Sequence, residues 1–151
     1  DGWGVGELWI GDGRVVVAHD PPVPGVSLEG AAPAEGLAAD LLERLRGYFA
    51  GERVSFADVP LDGDWGTPFQ AALAAALRNV PWGEVVSYGE LSALAGRARA
   101  ARAAGTFCAE NRFSLFVPCH RVVSAGGIGG YGSLGVDYKR RLLGLERHGA
   151  L

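Results

Sequence analysis

Long apolar segments are missing from this 151-residue chain, which has no run of about 18 apolar residues, so we expect no membrane span. Its first residues lack a basic segment followed by an apolar one, so we expect no secretory leader. Cysteine occurs only twice, with no CxxC pair and no cluster of histidine and cysteine. We therefore expect neither a disulfide framework nor a metal site, and we expect a reducing, cytoplasmic location.

A strongly biased composition is also absent. The chain is 48% hydrophobic and 21% charged, and these proportions exclude a disordered or collagen-like protein. Its length suits one globular domain, with or without a small additional lobe, and suffices to bury a core without cross-links.

Net positive charge is absent from the chain as a whole, and the balance of −3 argues weakly against a nucleic-acid partner. Residues 1–59 have four arginines against ten acidic side chains, a balance of −6, whereas residues 60–151 have ten basic side chains against seven acidic ones, a balance of +3. Chance explains such asymmetry about as well as a binding surface confined to one lobe does. Because the change falls at a linker-like segment over 60–66, we predict two units, 1–59 and 60–151.

The first unit has the pattern of a small sheet with one helix. Two short strands over 7–10 and 15–19 flank Gly11-Asp12-Gly13, which is a hairpin pattern. Apolar residues then recur at helical spacing before Gly51 and predict a helix. They are Leu37, Leu41, Leu45, Tyr48 and Phe49. Residues 53–56 are predicted as a third strand.

The second unit begins with two helix starts. Thr67 and Pro68 suit the N-cap and the first position of a helix. Ser87 and Glu90 have the spacing of a capping box, and the short helix that they begin is expected to end near Gly96.

Three further elements follow along the chain. A helix over 98–109 completes the layout of a helix-turn-helix. A strand is predicted over 114–117 and a last helix over 137–147. The predicted class is therefore α/β in the α+β sense: a small sheet-plus-helix lobe followed by a mainly helical domain.

The segment Pro118-Cys119-His120-Arg121 is the best candidate for chemistry. A cysteine with an available histidine is a nucleophile–base pair, and a carboxylate that orients the histidine completes a triad. On an extended strand the two side chains would point to opposite faces, so they cooperate only across a bend or through a water. A buried cysteine beside a surface histidine is the alternative. Cys108, in mid-helix, is predicted to be structural.

Small residues dominate the second helix of the helix-turn-helix, with Arg102 among them. Most recognition helices carry long polar side chains that reach base edges in the major groove. Alanine and glycine instead let the backbone approach a shallow or narrow groove, where one arginine can fill a gap in the base stack. The alternative is an Ala-rich amphipathic helix with a solvated arginine.

Several short motifs occur in a fixed order along the second unit. They are Thr67-Pro68-Phe69-Gln70, Pro81-Trp82-Gly83-Glu84, Ser87-Tyr88, Ala101-Arg102-Ala103, Asn111, Pro118-Cys119-His120-Arg121-Val122, Gly130-Tyr131, Lys139, Leu142-Leu143 and Glu146. Together they resemble the O6-alkylguanine-DNA alkyltransferase family. The resemblance covers about residues 60–147, and residues 1–59 match only in outline.

The resemblance implies a suicide DNA repair protein that transfers the alkyl group of O6-alkylguanine in double-stranded DNA irreversibly to Cys119, without a cofactor. It implies that His120 deprotonates the thiol through a bridging water and that Glu146 orients His120. Tyr88 would protonate the leaving guanine, and Asn111 would tie the helix-turn-helix to the active-site loop.

The resemblance also implies which residues touch DNA. Arg102 would occupy the space of a base flipped out through the minor groove, and Tyr88 would contact DNA as well. The small residues of the helix would lie against the groove; they are Ala100, Ala101, Ala103 and Gly105. The alkylguanine pocket would consist of Val122, Tyr131, Gly132, Ser133 and Ser114. We expect the protein to act as a monomer.

The chain departs from the family pattern in three places. The first unit has no cysteine and one histidine, His19, so the zinc of some relatives is not expected. Arg112 and Ser114 stand where prolines often wall the alkyl pocket, and Gly132 follows Tyr131 where serine is common. From the residues alone, two other function classes stay open: a DNA module that binds lesions without repairing them, and a Cys-dependent hydrolase.

Overall fold

A hairpin opens the fold. The computed structural model describes residues 2–3, 5–19, 35–131 and 135–147, and within them strands β1 (Glu7–Gly11) and β2 (Arg14–His19) pair antiparallel. The turn residues Asp12 and Gly13 have φ values of 52° and 73°, a left-handed conformation that Asp and Gly tolerate. The predicted hairpin is confirmed.

The predicted helix of the first unit is also confirmed. Helix α1 (Gly36–Phe49) buries Leu41 and Tyr48 on its inner face. Gly51 follows with a φ of 92°, and its N–H donates to the carbonyl of Tyr48, which ends the helix as expected.

The third strand predicted over residues 53–56 is wrong, because this segment lies outside any strand. Its end is held by a side chain instead of a ladder: the guanidinium of Arg78 donates to the carbonyls of Phe56 and Val59, each at 2.7 Å. A backbone bonded to an arginine side chain and a backbone bonded to a neighbouring strand can have the same local sequence. The pattern of residues 53–56 therefore could not show that Arg78, and not a strand, is the partner.

Four helices build most of the second unit. They are α2 (Pro68–Arg78), α3 (Tyr88–Leu94), α4 (Ala101–Ala109) and α5 (Gly135–Leu145). Both predicted caps are confirmed. The Thr67 hydroxyl accepts from the N–H of Gln70 at 3.1 Å, and Ser87 and Glu90 exchange the two hydrogen bonds of a capping box.

Helix α4 begins at Ala101 rather than at residue 98. The preceding residues still complete α3: Gly96 has a φ of 101°, and the N–H of Arg97 donates to the carbonyl of Ser92 at 2.8 Å. Ala100 occupies the N-cap position without a side chain that could accept a hydrogen bond. The helix-turn-helix is therefore present with a longer connection than predicted.

Residues 114–117 form a turn instead of the predicted strand. The N–H of Val117 donates to the carbonyl of Phe113 at 2.9 Å, and Leu115 has a φ of 70°. Apolar side chains in this turn all lie inside the core, so no face is left for the polar residues of an alternating strand. Strand pairing occurs later, where β4 (Val122–Val123) pairs in parallel with β3 (Val86–Ser87).

One hydrophobic core joins the two units. It includes Val15, Leu41 and Tyr48 from the first unit together with Leu73, Phe116 and Leu142 from the second. Backbone hydrogen bonds also cross between them: Val15 N–H donates to Pro60 O at 2.9 Å, and Ala18 N–H donates to Arg112 O at 2.8 Å. The predicted α+β class is confirmed, and Tyr48 of α1 contacts His120, the residue that follows Cys119.

Candidate active site

Cys119 lies at a bend in the chain. It begins a 3-10 turn over Cys119–Arg121 that follows Pro118. The N–H of Cys119 donates to Val117 O at 2.8 Å, and the N–H of Arg121 donates to Pro118 O at 2.9 Å. Cys119 is 8% exposed and His120 is fully buried, so the alternative of a surface histidine is wrong. A thiol and an imidazole thus lie inside the protein on consecutive residues of a turn.

Asn111 connects the end of α4 to this turn. Its Nδ2 donates to Val117 O at 2.8 Å and to the Cys119 sulfur at 3.2 Å, while its Oδ1 accepts from the N–H of Phe113 at 2.9 Å. An amide is suited to this place because it offers two donors and an acceptor in one plane. A donor directed at sulfur stabilises a thiolate relative to a thiol.

His120 and Glu146 form a buried pair. Glu146 follows α5, is 1% exposed, and has its Oε2 at 2.7 Å from Nε2 of His120. Burial alone would raise the pKa of this carboxyl. The hydrogen bonds and charges of His120 and Arg121 outweigh burial and hold the pKa well below its usual range. An ionised Glu146 can only accept, so the proton of a neutral His120 lies on Nε2.

This tautomer leaves the lone pair of His120 on Nδ1. Among the described residues, Nδ1 has no hydrogen-bond partner although it is buried. A buried polar atom without a partner calls for an explanation, and a general base is one, since its lone pair must be available for a proton.

Two residues that sequence reasoning left without a role complete the surroundings of Glu146. Arg121 donates from Nε to Oε1 at 2.8 Å and from a terminal nitrogen to Oε2 at 3.1 Å. The hydroxyl of Tyr48, on α1, donates a hydrogen bond to Oε2 at 2.5 Å. A tyrosine on the buried face of a helix needs a partner for its hydroxyl, and this was the available hint for Tyr48.

Tyr88 and Lys139 lie on another side of the turn. Tyr88 is half-buried at the start of α3, and burial, together with the nearby thiols of Cys108 and Cys119, raises the pKa of its phenol. Lys139 is fully buried, with Nζ bonded to Val122 O and Gly130 O and 5.8 Å from the centre of the Tyr88 ring. Burial lowers the pKa of this ammonium group.

Gly129 shows how closely the segment after β4 approaches Tyr88. Its φ is 75°, and a Cβ at this position would lie 3.2 Å from the backbone nitrogen of Ser124 and 3.4 Å from the Tyr88 hydroxyl. A side chain would therefore displace either the loop or the phenol.

The helix residues predicted to touch DNA are distributed over α4 and its N-cap. Arg102 is exposed, as are Ala101 and Ala103, whereas Ala100 is half-buried. Gly105 is also half-buried, and a Cβ there would lie 3.9 Å from the Tyr88 ring. The inner face of α4 buries other residues, Ala104 and Phe107, so the arginine points away from the core.

The residues predicted for the alkylguanine pocket are only partly described. Val122 is fully buried in β4, and its carbonyl already accepts from Lys139. Tyr131 is half-buried and stacks on Tyr138 of α5, with ring centroids 6.0 Å apart. The N–H of Ser114 donates to Ala18 O at 3.3 Å, beside β2. Gly132 and Ser133 lie outside the described residues.

Cys108 differs from Cys119 in its surroundings. It lies within α4, and burial raises the pKa of its thiol.

In the described part of the chain, no group of three or more His, Cys, Asp and Glu side chains could hold a metal ion. Likewise, none of the helices built from described residues has the length and apolar character needed to cross a membrane.

Comparisons with known proteins all indicate similarity to methyltransferases that act on methylated DNA. The family model described as "6-O-methylguanine DNA methyltransferase, DNA binding domain" matches residues 68–148. A methylated-DNA–protein-cysteine methyltransferase of Mycobacterium leprae is 43% identical over 123 residues, which are 81% of this chain and 73% of that protein. The constitutive methylated-DNA–protein-cysteine methyltransferase of Bacillus subtilis is 40% identical over 110 residues, 72% of this chain and 66% of that protein.

Solved structures are similar to the whole fold. That of Mycobacterium tuberculosis OGT in complex with DNA superposes with a TM-score of 0.80 at 36% identity, covering 97% of this chain and 89% of that one. The O6-methylguanine-DNA methyltransferase of Pyrococcus kodakaraensis gives a TM-score of 0.68 at 27% identity, covering 93% and 97%.

Proposed function

Because the chain belongs to the 6-O-methylguanine DNA methyltransferase family, we propose that it repairs DNA by transferring the alkyl group of an O6-alkylguanine to its own Cys119. The observation that carries this proposal is the buried arrangement of a thiol on a turn beside a histidine whose Nε2 is bonded to an ionised glutamate. The sulfur keeps the alkyl group as a thioether, so each molecule acts once.

The transfer begins with a proton. The Cys119 proton moves through a water to Nδ1 of His120, the atom whose lone pair the Glu146 contact leaves available. The imidazolium so formed is paired with the carboxylate, and the thiolate is stabilised by the Asn111 donor at 3.2 Å.

The alkyl carbon then changes partners. A bond forms between the Cys119 sulfur and the alkyl carbon while the bond from that carbon to guanine O6 breaks, and the electron pair stays with the guanine. Tyr88 supplies a proton to the guanine ring, which is a poor leaving group as an anion. A phenol whose pKa is raised by burial is still protonated at neutral pH and is available for this step.

DNA is the proposed partner because the M. tuberculosis structure contains it and because the second unit has a balance of +3. We propose that α4 enters the minor groove with Arg102 in the place of the flipped base, and that Ala100, Ala101, Ala103 and Gly105 permit close approach. Base flipping costs a few kcal/mol, least for a weakly paired lesion.

The remaining assignments are proposals on the same basis. Val122, Tyr131, Gly132, Ser133 and Ser114 would line the pocket for the alkylguanine. Units 1–59 and 60–151 would act as a supporting lobe and as the DNA-binding and transfer domain. The protein would work as a monomer in the cytoplasm, where a reducing environment keeps the thiol free.

An intact-mass measurement tests the proposal. Mixing the protein with duplex DNA containing O6-methylguanine should add about 14 Da, one CH₂ per nucleophile, and peptide mapping should locate the addition on Cys119. Cys119→Ser should abolish the adduct, and the matched variant Cys108→Ser should retain it. Binding without a mass change would instead indicate a lesion-binding module, and turnover of a small acyl substrate would indicate a hydrolase.

A further inference from the structure

We propose that Tyr48 is a positioning residue of the transfer site, through which the first unit of the chain holds Glu146 and His120 in place. This inference rests on the proposed function. Tyr48 lies in the last turn of α1, 72 residues before His120 and 98 before Glu146 in sequence. Through this contact, residues 1–59 would contribute to the chemistry of the site as well as to the packing of the core.

One carboxylate oxygen accepts hydrogen bonds from both Tyr48 and His120, in addition to Arg121. Oε2 of Glu146 accepts from the Tyr48 hydroxyl at 2.5 Å and from Nε2 of His120 at 2.7 Å, and the hydroxyl lies 3.4 Å from Nε2. All three side chains are at most 1% exposed. Solvent therefore does not compete for Oε2, and the position of the hydroxyl helps to set where the carboxylate oxygen faces the imidazole.

The position of the hydroxyl is itself set by packing. The Tyr48 ring meets the Trp82 ring edge-on at a centroid distance of 5.2 Å and the Phe56 ring at 6.1 Å. A tyrosine has only two side-chain torsions, so a ring enclosed in this way has little freedom left. Core packing thus fixes the Tyr48 hydroxyl, and this hydroxyl in turn helps to fix the Glu146 carboxylate that bonds to His120.

The consequence for the reaction concerns the two nitrogens of His120. While Oε2 is held against Nε2, the imidazole keeps its proton there and the lone pair stays on Nδ1, the atom proposed to take the thiol proton. Without the hydroxyl, the carboxylate is less restrained and the other tautomer, protonated on Nδ1, becomes accessible. That tautomer cannot accept the Cys119 proton, so the limiting rate of transfer falls while binding of DNA does not.

The test compares Tyr48→Phe with the unsubstituted protein in single-turnover transfer from duplex O6-methylguanine DNA, with protein in excess. We expect the limiting rate to fall about tenfold, a part of the 10²–10⁴ that a positioned general base supplies, at an unchanged half-saturating concentration. Tyr138→Phe removes a phenolic hydroxyl from α5 and should keep the limiting rate within about twofold.

A double-variant cycle separates positioning from packing. If Tyr48 acts through Glu146, the change Tyr48→Phe should slow transfer less than about twofold in a Glu146→Gln background, because interacting residues are not additive. Equal losses in the two backgrounds, or a Tyr48→Phe rate equal to that of the unsubstituted protein, would overturn the inference. An unsubstituted protein that forms no adduct would overturn the proposed function instead.

A measurement on the unsubstituted protein covers the case in which a variant does not fold. Long-range proton–nitrogen NMR spectra should show His120 protonated on Nε2, and the Tyr48 hydroxyl proton should exchange slowly and lie close in space to that Nε2 proton. Rapid exchange of the hydroxyl proton, or His120 protonated on Nδ1, contradicts the inference. In folded Tyr48→Phe, the His120 spectrum should show a mixture of tautomers.

Discussion

Replacing Glu146 by glutamine should be strongly destabilising although the two side chains have the same shape. Every group that contacts the carboxylate is a donor. Oε2 accepts from Tyr48, His120 and Arg121, and Oε1 accepts from Nε of Arg121 with the N–H of Gly83 at 3.5 Å. Whichever way the amide of glutamine is turned, its NH₂ group meets at least one guanidinium donor.

The size of the effect follows from the charge that is left behind. Arg121 is 7% exposed, and apart from its bonds to Glu146 it donates to the carbonyl of Val80 at 2.8 Å. Removing one partner of a buried ion pair typically costs about 3–5 kcal/mol of the free energy of unfolding. For a protein of this size, that lowers the melting temperature by roughly 6–20 °C.

The quantity to measure is the difference in free energy of unfolding between the unsubstituted protein and Glu146→Gln, from urea unfolding at several pH values. The control is Glu90→Gln, because Glu90 is exposed and glutamine also serves at this position of a capping box. The pKa of Glu146 is lowered in the folded state, so the unfolded chain binds its proton more readily, and the stability due to this carboxylate is lost as pH falls.

The difference should therefore be constant from pH 7 down to about 4.3, the ordinary glutamate value, and shrink below it. A difference under about 1 kcal/mol at pH 7 would refute the argument from buried charge. A difference that stays constant well below pH 4 would refute the low pKa.

Three further predictions concern the proposed DNA-binding unit. Arg102→Ala should slow repair of duplex DNA tenfold or more, since flipping costs a few kcal/mol, while reaction with the free modified base changes little; equal losses on both substrates would exclude a role in flipping. Ser87→Ala should lower the free energy of unfolding by about 1 kcal/mol through loss of the capping box, which urea titration would detect, and an unchanged midpoint would contradict it. Because burial raises the pKa of Tyr88, its contribution to the transfer rate should persist up to about pH 10; a Tyr88-dependent loss below pH 9 would show that the phenol ionises earlier.

Local patterns in the sequence were sufficient wherever neighbouring residues decide the structure. The Asp12-Gly13 turn, the Thr67 cap and the Ser87–Glu90 capping box each depend on hydrogen bonds or torsions within four residues, and all were predicted correctly. Local patterns gave wrong predictions at residues 53–56 and 114–117. There, apolar runs resemble strands, but groups distant in sequence accept or donate the hydrogen bonds of the backbone or bend it into a turn. Arg78 holds the first segment, and the core surrounds the second.

The sequence by itself determined the α+β class, the family and the candidate nucleophile, because short motifs and their order along the chain carry that information. The resemblance already paired Glu146 with His120, but only the tertiary structure decided which other groups surround this carboxylate. The donors that converge on its two oxygens come from Tyr48, Gly83, His120 and Arg121, and Tyr48 is 98 residues away in sequence. No spacing rule relates them. Their common position results from packing α1 and the Cys119 turn against one core, where a buried carboxylate must collect donors to remain ionised.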